Sequence, residues 1–520
     1  MLLDLTQTNL KKFTAENHNL RGQIKWSLWY LGLLGIAGFV ALFMVRGTPS
    51  FSAVAWLLLF VGVALIIYQP RYGIYITLFW ALAGDSDMMF WYPFFKNFSS
   101  RETLLFLNDA AIISPLELYL VLTLLSWFLR DALNRKFHLY RGPLFWPALV
   151  FTAFIGFGLF YGISRGGNVN IALWESRSIF YLPLFMILVS NLLLKRKHIE
   201  NAIWAVMLAL LVEGLYGSYM MIFELRFDLS TLNSLTQHPA AIHLGTILVL
   251  AITTWMYKVS WRLRLFLLLI IPPAIITFIG GQRRAAYIAV ILAIVLLVIV
   301  LYRERKTAFM IIAPPLAILG LLYIGFFWNS NHALGLGAQA VKSVIAEDQA
   351  SHRDQASNLY RDIENLNSTF TIKQEPITGV GFGNRYYIVW PLPDISIFPW
   401  WDYIPHNSII YIWIKSGIGG FLSMLTLFGL TIMHGIRAFI RVNDGSLKAI
   451  TLTTTIYIVM HLVFAYVDLS WEPQSMLYVG LAMGIINCVE RVATIDPPVT
   501  KPRRPWQPKM SQPASLLPLN

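Results

Sequence analysis

Cysteine is nearly missing from this chain: Cys488 is the one such residue among 520. A single thiol cannot close an intrachain disulfide, so every loop must be held by packing. Charged residues are scarce too, at 13% of the chain against 57% hydrophobic. With a mean hydropathy of +0.60, that balance excludes a soluble globular protein of this size. No repeat of fixed period is visible, which removes the internal symmetry that marks many secondary transporters. A cleavable leader is not expected, because the first 25 residues are polar and the apolar run behind them is long. No module of interleaved basic and aromatic residues suggests nucleic acid as a partner. The net charge of +13 therefore needs another origin.

What is present is a series of apolar runs long enough to cross a bilayer. About fourteen are read, near 26–45, 51–69, 72–84, 111–129, 143–163, 174–194, 201–224, 240–257, 265–280, 285–302, 307–327, 407–436, 449–467 and 473–489. The third is short and fits a re-entrant segment as well as a crossing. The expected fold is an all-α polytopic integral membrane protein with 12–14 transmembrane helices. Lys and Arg then set the orientation. Arg130, Arg135, Lys136 and Arg141, the Lys195-Arg196-Lys197 cluster, and Arg303, Arg305 and Lys306 fall on one side, which reads as cytoplasmic. Most of the positive charge is thus topological. The N- and C-termini are both expected inside.

The organisation follows from those runs. Residues 1–25 read as a cytoplasmic segment, 26–327 as a helical bundle, 328–405 as one long outer loop, 406–490 as the last membrane helices and 491–520 as a disordered, proline-rich tail. The outer loop starts helically, with apolar residues at helical spacing and no Pro or Gly over AVKSVIAEDQASHRDQASNLYRDIENLNSTF. Pro376, Gly379, Gly381 and Gly383 end that helix in a turn. Trp390, Trp400 and Trp401 follow; aromatics there either stack on sugar rings or sit in the interfacial belt.

The candidate site lies where the outer loop meets the membrane. His406 and Asn407 open an apolar run that continues into a Gly417-x-Gly419-Gly420 step. A histidine at the first turn of such a helix meets a macrodipole that disfavours the imidazolium, leaving a neutral ring able to accept a proton. Two readings are open for it, a general base and a buried structural histidine. Asn407 suits an N-cap. Outer turns are ordinarily poor in arginine, yet Arg226 follows the seventh run and Arg283-Arg284 sit in a tight turn between two others. Guanidinium forks match phosphate oxygens, so these arginines suggest a pocket for an anionic head group; contact with lipid head groups is the alternative.

Other motifs are weaker. GVGFG lacks the strand-to-helix setting of a nucleotide loop and reads as a turn. Asp85-Ser86-Asp87 has the look of a metal-binding triplet, but two carboxylates are not a site. His461 and Asp468, seven residues apart, are expected to pair within the bundle. Pro272-Pro273 and Pro314-Pro315 are expected to break or kink two spans.

The stretch from Arg361 to Gly420 resembles the O-antigen ligase and polymerase family of bacterial membrane glycosyltransferases. The family pattern places an Arg and a helix before a Pro–Gly turn, then a His-Asn pair, then a glycine step. Here it appears as Arg361, PITGVGFG with Pro376, and PHNSIIYIWIKSGIGG. Gln282-Arg283-Arg284 matches the family's Ser-Arg-Gly element loosely, with Arg283 on the family arginine. Arg226, ahead of QHPAAIHLG, matches a further arginine. The resemblance implies a GT-C-like helical bundle in the bacterial inner membrane, without cofactor or metal. The donor would be a glycan on undecaprenyl diphosphate at the outer face, and the acceptor a hydroxyl on a glycan, lipid or protein. His406 would deprotonate that hydroxyl for an inverting attack, while Arg226, Arg283, Arg284 and Arg361 would hold the diphosphate. A transporter or flippase of the lipid-linked glycan is the alternative from another class.

Overall fold

A computed structural model describes residues 51–85, 87–89, 91–135, 138–228, 234–330, 333–349, 352–393 and 400–496. The first apolar run and the tail beyond 496 lie outside the described residues. Fifteen α-helices are described: α1 (Phe51–Tyr68), α2 (Arg71–Leu82), α3 (Pro115–Leu133), α4 (Phe145–Ser164), α5 (Val169–Leu192), α6 (Arg196–Tyr219), α7 (Ala240–Met256), α8 (Trp261–Gly280), α9 (Arg284–Glu304), α10 (Lys306–Phe327), α11 (Leu336–Ile345), α12 (His352–Gln374), α13 (Ser408–Arg441), α14 (Gly445–Val467) and α15 (Pro473–Ile495). No strand occurs among the described residues. Ten of the helices are long and apolar enough to cross a membrane, counting α6 with its π-turn extension to Glu224. The shorter or more charged α2, α3 and α7 complete the match: each apolar run inside the described residues is a helix. The protein is an all-α polytopic membrane protein.

Polar side chains start these helices where they are needed. Asn168 caps α5 by accepting from the Asn170 and Ile171 N–H groups, and Asp444 caps α14 by accepting from Leu447 N–H at 2.9 Å. In hydrocarbon a free backbone donor has no water to turn to, so such caps fix where a span begins. The bundle is built around α15, which packs along α5, and around α14, which touches α7, α9 and α13. α10 is the opposite case, with no buried residue, and reads as lipid-facing. The proline pairs do not break their spans: α8 and α10 run through them. The Ser218 hydroxyl of α6 donates to Pro273 O of α8 at 3.2 Å and ties the two helices together.

The segment expected as the outer loop is two helices, α11 and α12, where the sequence suggested one. α12 packs on α13. The glycine turn behind it is sewn into the bundle rather than laid over it. Val380 N–H donates to Ile414 O at 2.8 Å, Phe382 N–H to Gly158 O at 3.1 Å, and Asn168 N–H to Gly383 O at 2.9 Å. Gly381 has φ +81° and lies so close to α4 that a Cβ would stand 2.3 Å from Gly162 Cα. Gly417 interrupts α13 with φ 67° and ψ −173°, and a Cβ there would stand 1.8 Å from Ile377 O. Only glycine fits both positions. A buried ion pair closes the junction. Lys415 Nζ is 2.9 Å from Glu175 Oε1 and donates to Asn384 O at 2.6 Å, while Glu175 Oε2 accepts from Gly383 N–H at 2.6 Å. Both side chains are 0% exposed.

Candidate functional site

A cavity of about 910 Å³ opens between α11, α12 and the ends of α9 and α14. Arg283 and Arg284 reach it from the start of α9, Arg361 and Glu364 from α12, His406 from the approach to α13, and Asp468 from the end of α14. Four of the five site residues read from the sequence therefore converge. Arg226 does not line the cavity. It is exposed, with φ 50°, just beyond the π-turn Met220–Glu224, while its neighbours Phe227 and Asp228 do line it. Arg226 thus stands at the rim.

His406 is one residue earlier than expected relative to its helix. Asn407 is the N-cap of α13, its side chain accepting from Ile410 N–H at 3.1 Å. His406 precedes the cap and is held from α12 instead. Its backbone N–H donates to Glu364 Oε2 at 2.8 Å, and its ring Nδ1 lies 3.1 Å from both carboxylate oxygens. A carboxylate only accepts, so Nδ1 carries the proton and Nε2 keeps the lone pair. Glu364 is 2% exposed and His406 21%, so the holding group is buried and the ring reaches the cavity. Tyr360 sets its ring edge-on to His406 at 5.6 Å between centroids. Such a carboxylate–imidazole pair orients a base and stabilises the imidazolium it forms.

Arg283 and Arg361 keep unused hydrogen-bonding capacity at Nε. Arg284 Nε is 3.3 Å from Asp354 Oδ1. Arg361 Nη1 donates to Ser357 Oγ at 3.0 Å, and Arg283 Nη1 lies 3.9 Å from Asp468 Oδ2. The Nε atoms of Arg283 and Arg361 are buried with no hydrogen-bond acceptor. A guanidinium has five N–H donors, and a buried one left unmade is costly. Arg283 is also the N-cap of α9, so the positive end of that helix faces the same space. The arrangement suits an anion with several oxygens.

Asp468 departs from its expected partner. It lies beyond the last turn of α14 with extended φ and ψ, so the seven-residue helical spacing to His461 is broken. It pairs instead with His238, Nδ1 to Oδ1 at 2.5 Å. Burial alone would raise its pKa, but His238, Arg283 and Arg361 hold it well below the usual carboxylate range. His238 comes within 6.4 Å of His406, centroid to centroid. His461 is fully buried, has no hydrogen-bond partner on either ring nitrogen, and stacks on Phe428. Asp85 serves a turn: its carboxylate accepts from the N–H groups of Asp87 at 2.9 Å, Met88 at 3.4 Å and Gln237 at 2.7 Å. Burial first, and then Asp87, push Asp85 up to about 7. Among the described residues no group of three or more His, Cys, Asp or Glu is arranged to hold a metal ion. Trp400 stacks on Trp174 of α5 at 5.5 Å, which makes it a packing residue.

Glu364, His238 and Tyr360 were not singled out from the sequence. For Glu364 a signal existed: it lies three residues after Arg361, on the same face of one helix. His238 carried no signal of spacing, because its partner is far away in the chain.

Comparison with known proteins bears on the same residues. Residues 265–425 match the family described as O-antigen ligase. The O-antigen ligase of Salmonella typhimurium (strain LT2) is 26% identical over 147 residues, covering 24% of this chain and 36% of that protein. The match thus spans little more than a third of that relative's length. Arg283, Arg284, Arg361 and His406 fall inside the family match, and Arg226 outside it. Through that segment, which carries the cavity's arginines and its histidine, the chain is similar to the O-antigen ligase family.

Proposed function

We propose that this protein transfers a glycan from an undecaprenyl-diphosphate carrier to an acceptor hydroxyl at the outer face of the bacterial inner membrane. One observation carries the reading: Arg283, Arg284, Arg361 and His406 line one cavity at the ends of membrane helices. The diphosphate lies against the arginines, with Arg226 meeting the head group at the rim. His406 Nε2 takes the proton of the acceptor hydroxyl, and Glu364 stabilises the imidazolium. The acceptor oxygen attacks the anomeric carbon as the carrier diphosphate leaves, so the configuration inverts. A diphosphate leaves as a stable anion and needs charge stabilisation more than a general acid. No metal is required in this scheme.

The test is the purified protein with an undecaprenyl-diphosphate glycan. Carrier release with a ladder of products identifies a polymerase, and single capping of an acceptor a ligase. His406→Ala should lower turnover by roughly 10²–10⁴-fold, the usual worth of a general base. Near-normal turnover by a folded His406→Ala protein removes the base assignment.

A further inference from the structure

His406 lines two cavities. Beside it, along α12, lies a second one of about 400 Å³. Ala356, Leu359, Tyr360 and Pro393 belong to this cavity alone, and His406, Ser357 and Arg361 form the wall it shares with the larger one. The two differ in chemistry. The large cavity has three arginines and the N-terminus of α9. The small one has aliphatic and aromatic walls of its own, the Tyr360 ring among them, and its polar groups are those of the shared wall, Ser357, Arg361 and His406, while the Tyr360 hydroxyl has almost no accessible surface. That hydroxyl is buried with no hydrogen-bond partner, and Tyr360 is 8% exposed.

Such walls do not suit a diphosphate. They suit a sugar ring, which lays its C–H face on apolar and aromatic surface and offers hydroxyls to a few fixed polar groups. The volume lies near the low end of small-molecule sites, roughly 300–1,000 Å³, and admits a mono- or disaccharide end rather than a whole chain. The geometry of displacement agrees. In an inverting attack the entering oxygen and the departing diphosphate lie on opposite sides of the anomeric carbon, so they arrive from different directions. A base on the wall between two cavities can serve one that holds the acceptor while the donor occupies the other.

We propose that the small cavity is the acceptor subsite, and that it takes the terminal sugar of a glycan acceptor. The inference rests on the transfer reading above. In the step, the acceptor O–H bond breaks and its proton goes to His406 Nε2. The oxygen forms the new glycosidic bond to the anomeric carbon. The bond from that carbon to the diphosphate oxygen breaks, and its electron pair leaves with the carrier.

The test places a photoreactive benzoylphenylalanine at Ala356, in the small cavity, and separately at Ile288, in the large one only. Ala356 is exposed on α12, so the replacement is tolerated by the fold. After illumination of intact cells, the adduct at Ala356 should be a glycan without phosphorus, and the adduct at Ile288 should carry the prenyl diphosphate. Prenyl diphosphate captured at Ala356, a peptide captured there, or an empty Ala356 beside a labelled Ile288 would each overturn the subsite. Loss of adducts at both positions would instead remove the transfer reading, and the subsite with it. A second variant, Ala356→Trp, fills the small cavity. Transfer should fall by about 10-fold or more while binding of undecaprenyl diphosphate stays within about twofold; a parallel loss of carrier binding assigns the cavity to the donor.

Discussion

Replacing Glu364 by Gln is the sharpest probe of how the histidine is held. The carboxylate accepts from the His406 backbone N–H at 2.8 Å and from Nδ1 at 3.1 Å, and its Oε2 alone reaches both. A glutamine with its oxygen in that place keeps both bonds and the ring's tautomer. What it loses is the charge opposite the imidazolium that forms as the proton moves. A hydrogen bond to a charged group contributes about 1.5–3 kcal/mol and a neutral one about 0.5–1.5. The difference of roughly 1–2 kcal/mol corresponds to a kcat lowered about 5–30-fold. Glu364→Ala also frees the backbone N–H and releases the ring, so it should cost more, on the order of 10²-fold or beyond. The assay is carrier release by purified protein, with thermal unfolding in detergent to confirm that each variant is folded. In a His406→Ala background Glu364→Gln should have no further effect, because it acts through the ring. A Glu364→Gln enzyme within twofold of wild type, or an equal loss in both backgrounds, would refute the reasoning.

The remaining expectations concern charge, the turn and the orientation. Arg283→Lys and Arg361→Lys keep the charge but lose the fork, and each should lower transfer roughly 10–100-fold, with Ala worse; Arg226→Lys at the rim should mainly raise the donor KM, and loss of kcat there would draw Arg226 into the cavity. Asp85→Ala leaves three backbone donors without their acceptor and should lower the unfolding temperature, each buried group costing about 1–3 kcal/mol, while Asp87→Ala and EDTA leave transfer unchanged. Complete inhibition by EDTA, restored by Mg²⁺ or Mn²⁺, would move the chemistry to a metal. With buried Cys488 replaced by Ser, single cysteines at the exposed positions Val344 and Ile377 should react with an impermeant maleimide in intact cells; labelling only after lysis would reverse the orientation.

The helices were legible in the sequence because crossing a bilayer demands long apolar runs, and that signal is local. His406, Arg283 and Arg284 were legible because charge beside such runs is costly and needs a reason, and Arg361 through the resemblance of its stretch to the family pattern. Their partners were not. Glu364 reads as one more acid on a polar helix until the fold brings it under His406 from 42 residues away. Asp468 reads as a helix-mate of His461 until the chain leaves the helix and turns to His238. Lys415 looks like an intruder in an apolar run. Only the assembled bundle shows Glu175 beside it, because the pairing depends on how helices meet rather than on spacing within one.

That last pair also constrains how the protein is made. Ribosomes deliver α5 with Glu175 well before α13 with Lys415, and at about 5–20 residues per second the delay is roughly 10–50 s. Through that interval the glutamate sits in the second turn of α5 without its cation, at a cost below the roughly 2.5–3.5 kcal/mol that insertion scales give at the centre of a span. The main neighbour of α5, the helix α15, emerges last of all. The early helices should therefore remain loosely associated until the end of translation. Nascent chains arrested before Ser408 should expose the α4–α5 turn to protease, and chains extended through Ile495 should protect it. The junction of the glycine turn with the bundle would then double as a checkpoint in biogenesis, closing only when both halves of the polypeptide are present.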